Sequence, residues 1–314
     1  MDKSQFDLAL KVVGILVLIV VLLFILTWSG IVKCRDISPY YCDVYDFVMG
    51  SPRVLIVYGD YGLGEPELLR EYLRNPQWVA VQNVDIQHVD RVTLGNLKSY
   101  KLVIVEKARK LSMDQLVMFM DYVNKNGGRL VWVGDSGVEF GDDEVRLVSD
   151  EETAKKILDN PWVRVKETDT EYKVISFDEF LGLRYVNNYC SEKNCMDNYF
   201  SVGNLETELT GEHPLIYGFS PAINFRIKKD RDFALVKQIS DSYASNIVMT
   251  LNFGGNIQGT SGYLGKFSPM IVTSSMGMGE RIAYYAYPPE WFISDNNYSS
   301  GILLKNMYYG ILGK

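Results

Sequence analysis

The chain is 314 residues long, 47% hydrophobic and 23% charged, which excludes a disordered or collagen-like protein and a disulfide-stapled miniprotein. A formal charge of −7 leaves no basic surplus for phosphate, so a nucleic-acid partner is not expected. With 4 Cys and 2 His there is little material for a metal site, and neither a metal nor a cofactor is expected. The mean hydropathy of −0.04 averages over two unlike parts.

Residues 12–32 read VVGILVLIVVLLFILTWSGIV, an unbroken run without a charge. As a helix rising 1.5 Å per residue it would span about 30 Å, the hydrocarbon thickness of a bilayer. Lys11 and Lys33 bracket the run, and Trp28 stands near one end, where an amphipathic ring suits the interface. A cleaved signal peptide would have a shorter apolar core followed by a small-x-small site, and neither is present. Residues 1–33 are therefore expected to be a single-pass anchor in the lipid bilayer, with 34–52 a juxtamembrane segment. Tyr40, Tyr41 and Tyr45 in that segment suit the interface.

Orientation does not follow from basic residues, because Lys3 and Lys11 before the run match Lys33 and Arg35 after it. The cysteines are more informative. Cys34 and Cys42 form one close pair and Cys190 and Cys195 another, the pattern of two local disulfides in an oxidising compartment. Four free thiols are the alternative; a zinc site built from both pairs lacks the C-x2-C spacing. The sequon Asn297-Tyr298-Ser299 points the same way. The expectation is an amino terminus in the cytoplasm and a globular part outside the cell membrane.

Residues 53–314 read as one α/β domain. RVLIVYG from Arg53 is a continuous β-rich run, followed by the turn DYGLGEP and a helix with Pro66 at its start. A second strand is expected within residues 81–89, and KLVIVEK gives a third. DQLVMFMDYVNKNGG is an amphipathic helix with a glycine stop, and RLVWVGD a fourth strand. Apolar runs alternating with helices predict a parallel sheet covered on both faces. Residues 138–212 are acidic and mixed, and read as an insertion or cap. Strand signals return at FALVKQI and SNIVMTLNF; residues 254–265 read as a glycine-rich loop. MIVTSSMGMGERIAYYAYP predicts a hairpin turning at Gly277 and Gly279, and SSGILLKNMYYGILG a last helix. Tyr284, Tyr285, Tyr287, Tyr308 and Tyr309 are expected mostly in the core.

The order strand–GDYGLGEP–helix, KLVIVEK, NGGRLVWVGDSG, then EHPLIYGFS and PMIVTSSMGMGERIAYYAYPPEWF, resembles the class I glutamine-amidotransferase-like superfamily, in particular its ThuA-like branch. The resemblance covers about 180 residues and implies a flavodoxin-like three-layer sandwich with a mostly parallel sheet. It also implies where chemistry would sit. Amidotransferases carry a nucleophilic Cys on a G-x-C-x-G elbow; the matching segment Gly134-Asp135-Ser136-Gly137-Val138 puts Ser136 there and lacks the last glycine. Their catalytic His precedes Pro-Glu; Tyr287-Pro288-Pro289-Glu290 keeps the Pro-Glu without a histidine. Ser136, Asp135 and Glu290 are thus the residual catalytic candidates. Only His88 and His213 could activate a serine hydroxyl, and His213 lies in a His-Pro turn.

Three carboxylates follow predicted strands: Asp60, Glu106 and Asp135. Converging on one cleft they would bind a cation or sugar hydroxyls; the alternative is helix capping or pairing with Lys107 and Arg109. Gly59, Gly62 and Gly64 make a tight turn, with Asp60, Glu65 and Glu67 too acidic for phosphate. The functional expectation is a membrane-tethered, non-catalytic binding or assembly module. It would be an accessory or subunit of a membrane complex that recognises a protein or a glycan. The alternative is an anchored surface hydrolase of a sugar or amide.

Overall fold

The computed structural model describes the chain except residues 1–2, 30–31, 33–36, 38–40, 42–43, 46–47, 49–52, 142–143, 145–159, 168–171, 194, 196–198, 208–212, 220–221, 240–244, 261, 275–279, 297–300 and 313–314. The chain divides into two compact units, Met1–Ser51 with Gly313–Lys314, and Pro52–Leu312. Cys34, Cys42, the sequon and the turn at Gly277 and Gly279 lie outside the described residues.

The first unit is built on α1 (Lys3–Trp28). Its side chains from residue 11 to 22 are all exposed, Leu18 at 70%. Tyr41 and Tyr45 instead meet Phe24, with ring centroids 5.6 and 5.4 Å away. Among the described residues no helix is long and apolar enough to cross a membrane. Side chains of α1 are described only for residues 11–27, so the apolar run at 12–32 is covered in part.

In chain order the second unit contains β1 (Val54–Tyr58), α2 (Pro66–Arg74), β2 (Val84–His88), α3 (Leu94–Leu97), β3 (Leu102–Val105), β4 (Lys110–Leu111), α4 (Met113–Asn124), β5 (Arg129–Val133) and β6 (Glu139–Phe140). It continues through β7 (Val163–Glu167), β8 (Tyr172–Ser176), α5 (Phe177–Leu181), β9 (Leu183–Asn188), α6 (Tyr189–Lys193), β10 (Tyr199–Thr207), β11 (Ala222–Lys228) and β12 (Ala234–Gln238). It closes with β13 (Ser245–Gly259), β14 (Gly262–Ser274), β15 (Ile282–Tyr285), α7 (Pro289–Asn296) and α8 (Ile302–Leu312).

Among the described residues, nine strands form one sheet in the order β11-β10-β13-β14-β15-β5-β3-β1-β2. The half β2-β1-β3-β5-β15 is parallel, and its order is that of flavodoxin-like sheets. Its strands are uniform apolar runs because both faces are covered: Val54–Val57, Leu102–Val105 and Leu130–Val133 are all buried. From β15 outward the pairings are antiparallel, so the sheet is mixed rather than parallel throughout.

The helices stop and start where the chemistry directs. Pro66 opens α2, whose Leu69 and Leu73 point inward at i, i+4 spacing. Ser112 and Gln115 form a reciprocal capping box on α4. Gly182 ends α5 in the left-handed conformation, φ 72°.

One expectation needs correction. Residues 254–259 and 262–265 are not a loop: they are the far ends of β13 and β14, which pair as far as Gly259 and Gly262. The expected FALVKQI strand is present as β12, paired with β9 in a separate two-stranded sheet. Within the middle segment, β10 joins the central sheet between β11 and β13. The β9 partner of β12 and the β13 partner of β10 lie far off in sequence, and local pattern carries no trace of them; β13 and β14 are neighbours, and their pairing overrides the local preference of the glycines.

Within β10, Gly203 lets the backbone of β13 come close: a Cβ there would lie 2.2 Å from the Asn252 carbonyl oxygen. Gly255 has open space around it. Gly203→Ala is expected to destabilise the full-length protein by about 1–3 kcal/mol in chemical denaturation, and Gly255→Ala to leave it within experimental scatter.

Candidate functional site

The parallel strands all end at one edge, and the loops leaving that edge carry the predicted residues. β1 runs into the loop 59–65, β3 into Glu106–Arg109, β5 into Gly134–Val138, and β15 into the segment leading to α7. Two left-handed glycines, Gly134 at φ 60° and Gly137 at φ 72°, shape the turn after β5.

Asp135 is 1% exposed and accepts three hydrogen bonds. They come from Leu63 N–H at 2.8 Å, Arg109 Nη1 at 2.8 Å and Asn188 Nδ2 at 3.0 Å. Arg109 also donates through Nε to Glu139 at 2.7 Å. The pairing of Asp135 with Arg109 is thus realised. No free carboxylate oxygen of Asp135 is left to greet a ligand.

Ser136 is fully buried. Its hydroxyl donates to the Val133 carbonyl at 2.8 Å, and its own carbonyl receives Trp132 Nε1 at 2.9 Å and Trp162 Nε1 at 3.0 Å. From Gly137 the chain passes into β6, whereas a nucleophile elbow joins a strand to a helix.

Neither histidine approaches it. His213 is bound to Glu280 at 3.0 Å, and Glu280 precedes β15, hence lies at the opposite edge of the parallel sheet. Four strand residues at about 3.3 Å each separate those edges by roughly 13 Å. Hydrogen bonds from His213, Asn246 and Thr273 depress the Glu280 carboxyl to about 2 against the cost of its burial. His88 ends the edge strand β2 and meets Asp60 at 3.3 Å and Asp90 at 3.3 Å. Three strand spacings of about 4.8 Å lie between β2 and β5.

Glu106 and Glu290 share the remaining place, both with no exposure at all. Glu290 Oε1 accepts the Glu65 amide at 2.8 Å, while Glu290 Oε2 and both Glu106 oxygens have no protein donor. Burial first, and then the Glu290 charge, push the Glu106 carboxyl well above its ordinary value. Burial likewise raises Glu290 to about 8, against the backbone amides of Glu65 and Glu290, which lower it; the Glu65 charge adds to the shift and Arg231 opposes it. Around them Trp291 Nε1 donates to Glu65 at 2.7 Å, Arg231 meets both Glu65 and Asp295, and the Tyr287 hydroxyl donates to Asp295.

The three predicted carboxylates are therefore brought to one edge but not to one pocket. Asp60 is exposed, Asp135 is saturated, and Glu106 is enclosed with Glu290. Among the described residues no group of three or more His, Cys, Asp or Glu could hold a metal. Asn188, Asp232 and Arg231 also belong to this edge, although the sequence does not single them out. Asp232 is raised to about 7 by burial and accepts the amides of Cys190 and Phe233 at 2.9 and 2.8 Å. Nothing in their local sequence marks them, because their partners are distant in the chain. Cys190 and Cys195 form a disulfide beside Asp232, as their spacing predicts. Tyr284, Tyr285, Tyr287 and Tyr308 are buried.

No known family model matches the sequence, and no curated protein matches it. Among solved structures it is similar to a ThuA-like protein from Bacteroides uniformis, with TM-score 0.53 and 15% identity over 83% of this chain and 92% of that one. It is also similar to a ThuA-like protein from Parabacteroides merdae, with TM-score 0.46 and 15% identity over 84% and 91%. A GMP synthase protein from Thermoplasma acidophilum has TM-score 0.45 and 11% identity over 82% and 94%. The first likeness establishes a ThuA-like α/β fold, and at this identity it establishes the fold alone.

Asp135 joins the loops after β1, β3 and β9, so losing it should be felt throughout this edge. Asp135→Ala is expected to destabilise the protein by about 3 kcal/mol, because Arg109 and two donors lose their acceptor. Thermal unfolding of the full-length chain in detergent checks it.

Proposed function

We propose that the chain is a membrane-tethered, non-catalytic binding or assembly module, an extracytoplasmic accessory or subunit of a membrane complex that recognises a protein or a glycan. The observation that carries the non-catalytic reading is the enclosed Ser136. Its hydroxyl is committed to the Val133 carbonyl, with the two histidines engaged on β2 and at the far edge of the sheet. A hydroxyl must lose its proton as it attacks, and neither histidine is within reach to take it. The tether rests on the run at 12–32 and on the exposure of α1 from residue 11 to 22. That much apolar surface is costly in water and favourable in hydrocarbon. The Cys190–Cys195 disulfide supports the oxidising side as the location of the globular part.

Two experiments test this. In membranes from cells expressing the full chain, the protein should resist alkaline carbonate and dissolve in detergent. Externally added protease should reach the globular part in intact cells. Release by carbonate, or protection from protease, removes the tether or its orientation. Purified protein should turn over neither glutamine nor chromogenic glycosides. Activity abolished by both Asp135→Ala and Ser136→Ala, in variants that remain folded, would establish the surface hydrolase of a sugar or amide instead.

A further inference from the structure

In open α/β sheets ligands enter where the strand order reverses, which here is the carboxyl end of β1 and β3. In this protein that crevice is shut by its own backbone. Gly59 N–H donates to the Lys107 carbonyl at 3.1 Å, Lys107 N–H to the Leu63 carbonyl at 2.8 Å, and Arg109 N–H to the Tyr61 carbonyl at 2.9 Å. Lys107 is held at φ 51°, a conformation that costs a residue with a side chain free energy. Gly64, at φ 122°, brings the loop so near that a Cβ would stand 3.0 Å from Glu106 Oε2.

We propose that Glu106 and Glu290 hold one proton between them, and that this proton is the latch that keeps the switch-point crevice closed. Loss of the proton releases the 59–65 loop from α7 and opens the crevice. Protonated Glu106 donates to a carboxylate oxygen of Glu290, whose other oxygen takes the Glu65 amide. A hydroxide removes the shared proton as water and leaves two carboxylates.

The geometry carries this without a ligand. Both groups are fully buried, and their three free oxygens have no protein donor. Two carboxylates in such a place cannot both ionise unless a cation joins them. The charged and titratable groups facing Glu106 are Glu290, Glu65 and Lys107; those facing Glu290 are Glu65, Arg231 and Tyr72. Glu65 repels the pair, and Arg231 is drawn to Asp295 and Glu65. Charge on both members would therefore push α7 from the loop that Glu290 now holds.

The sign follows from the raised carboxyls. The closed form keeps a proton that the open, hydrated form gives up in the ordinary carboxyl range. Closure is strongest below that range and weakens by up to about tenfold per pH unit as pH rises toward 8.

The test is amide hydrogen exchange of the full-length protein in detergent micelles from pH 6 to pH 9, corrected for intrinsic exchange rates. The amide of Glu65 and the neighbouring residues of the loop should lose protection with rising pH, while the β14–β15 pairing at the opposite edge does not. Glu106→Gln, and the double variant with Glu290→Gln, should keep the loop protected at every pH. Asp232→Asn should retain the wild-type response, separating the latch from the other raised carboxyl. Protection of the wild-type loop that does not change with pH overturns the proposal even where a variant fails to fold. So does a response that persists in both glutamine variants. Loss of protection at pH 7 on adding a chelator also overturns it, since a cation would then occupy the place assigned to the proton.

Discussion

The Asp135 carboxylate is the fixed point of the second unit's functional edge. A carboxylate that is 1% exposed must be compensated by hydrogen bonds, and its donors come from two loops and the end of a strand. Leu63 belongs to the loop after β1, Arg109 to the return after β3, and Asn188 to the end of β9. The disulfide loop is tied in one step further on, because Asn188 leads directly into the helix that carries Cys190.

That arrangement is what the non-catalytic reading proposed for this ThuA-like fold rests on. An exposed nucleophile needs an open turn, a base within hydrogen-bond reach and room for a substrate carbonyl. The turn after β5 instead buries its serine under two tryptophans and commits its aspartate to structure. The fold provides the edge, and the side chains placed there decide whether it is a site. The polar groups at this edge are mostly satisfied by one another. The enclosed Glu106–Glu290 pair is the departure from that rule, and departures of this kind are where an equilibrium between two states is stored.

Much of the fold was legible in the chain because burial on both faces forces a recognisable composition. VLIVY, LVIV and RLVWV are parallel central strands, and a strand covered on each side has no polar face to show. Helix ends were legible for an equally local reason, as at Pro66 and at the glycines after α4. The antiparallel half was harder. The glycines of residues 254–265 read as a loop, although strand pairing with a facing segment overrides that local preference. The strand at 234–238 has the same apolar look as its neighbours but joins β9, and only the partner distinguishes the two cases.

By itself the sequence determined the apolar run at 12–32, the parallel half of the sheet, the close pairing of Cys190 with Cys195 and the absence of a Cys–His couple. All of these depend on composition or on neighbours within a few residues. Tertiary structure alone decided what the carboxylates do. Glu65 and Glu290 are 225 residues apart and share a hydrogen bond, and Asp135 and Asn188 are separated by 53. A carboxyl's charge state depends on the water removed from it and the groups packed around it. Those are properties of the folded neighbourhood, which is why Asp60, Glu106 and Asp135 look alike in the chain and yet one is exposed, one is enclosed beside Glu290 and one is held by three donors.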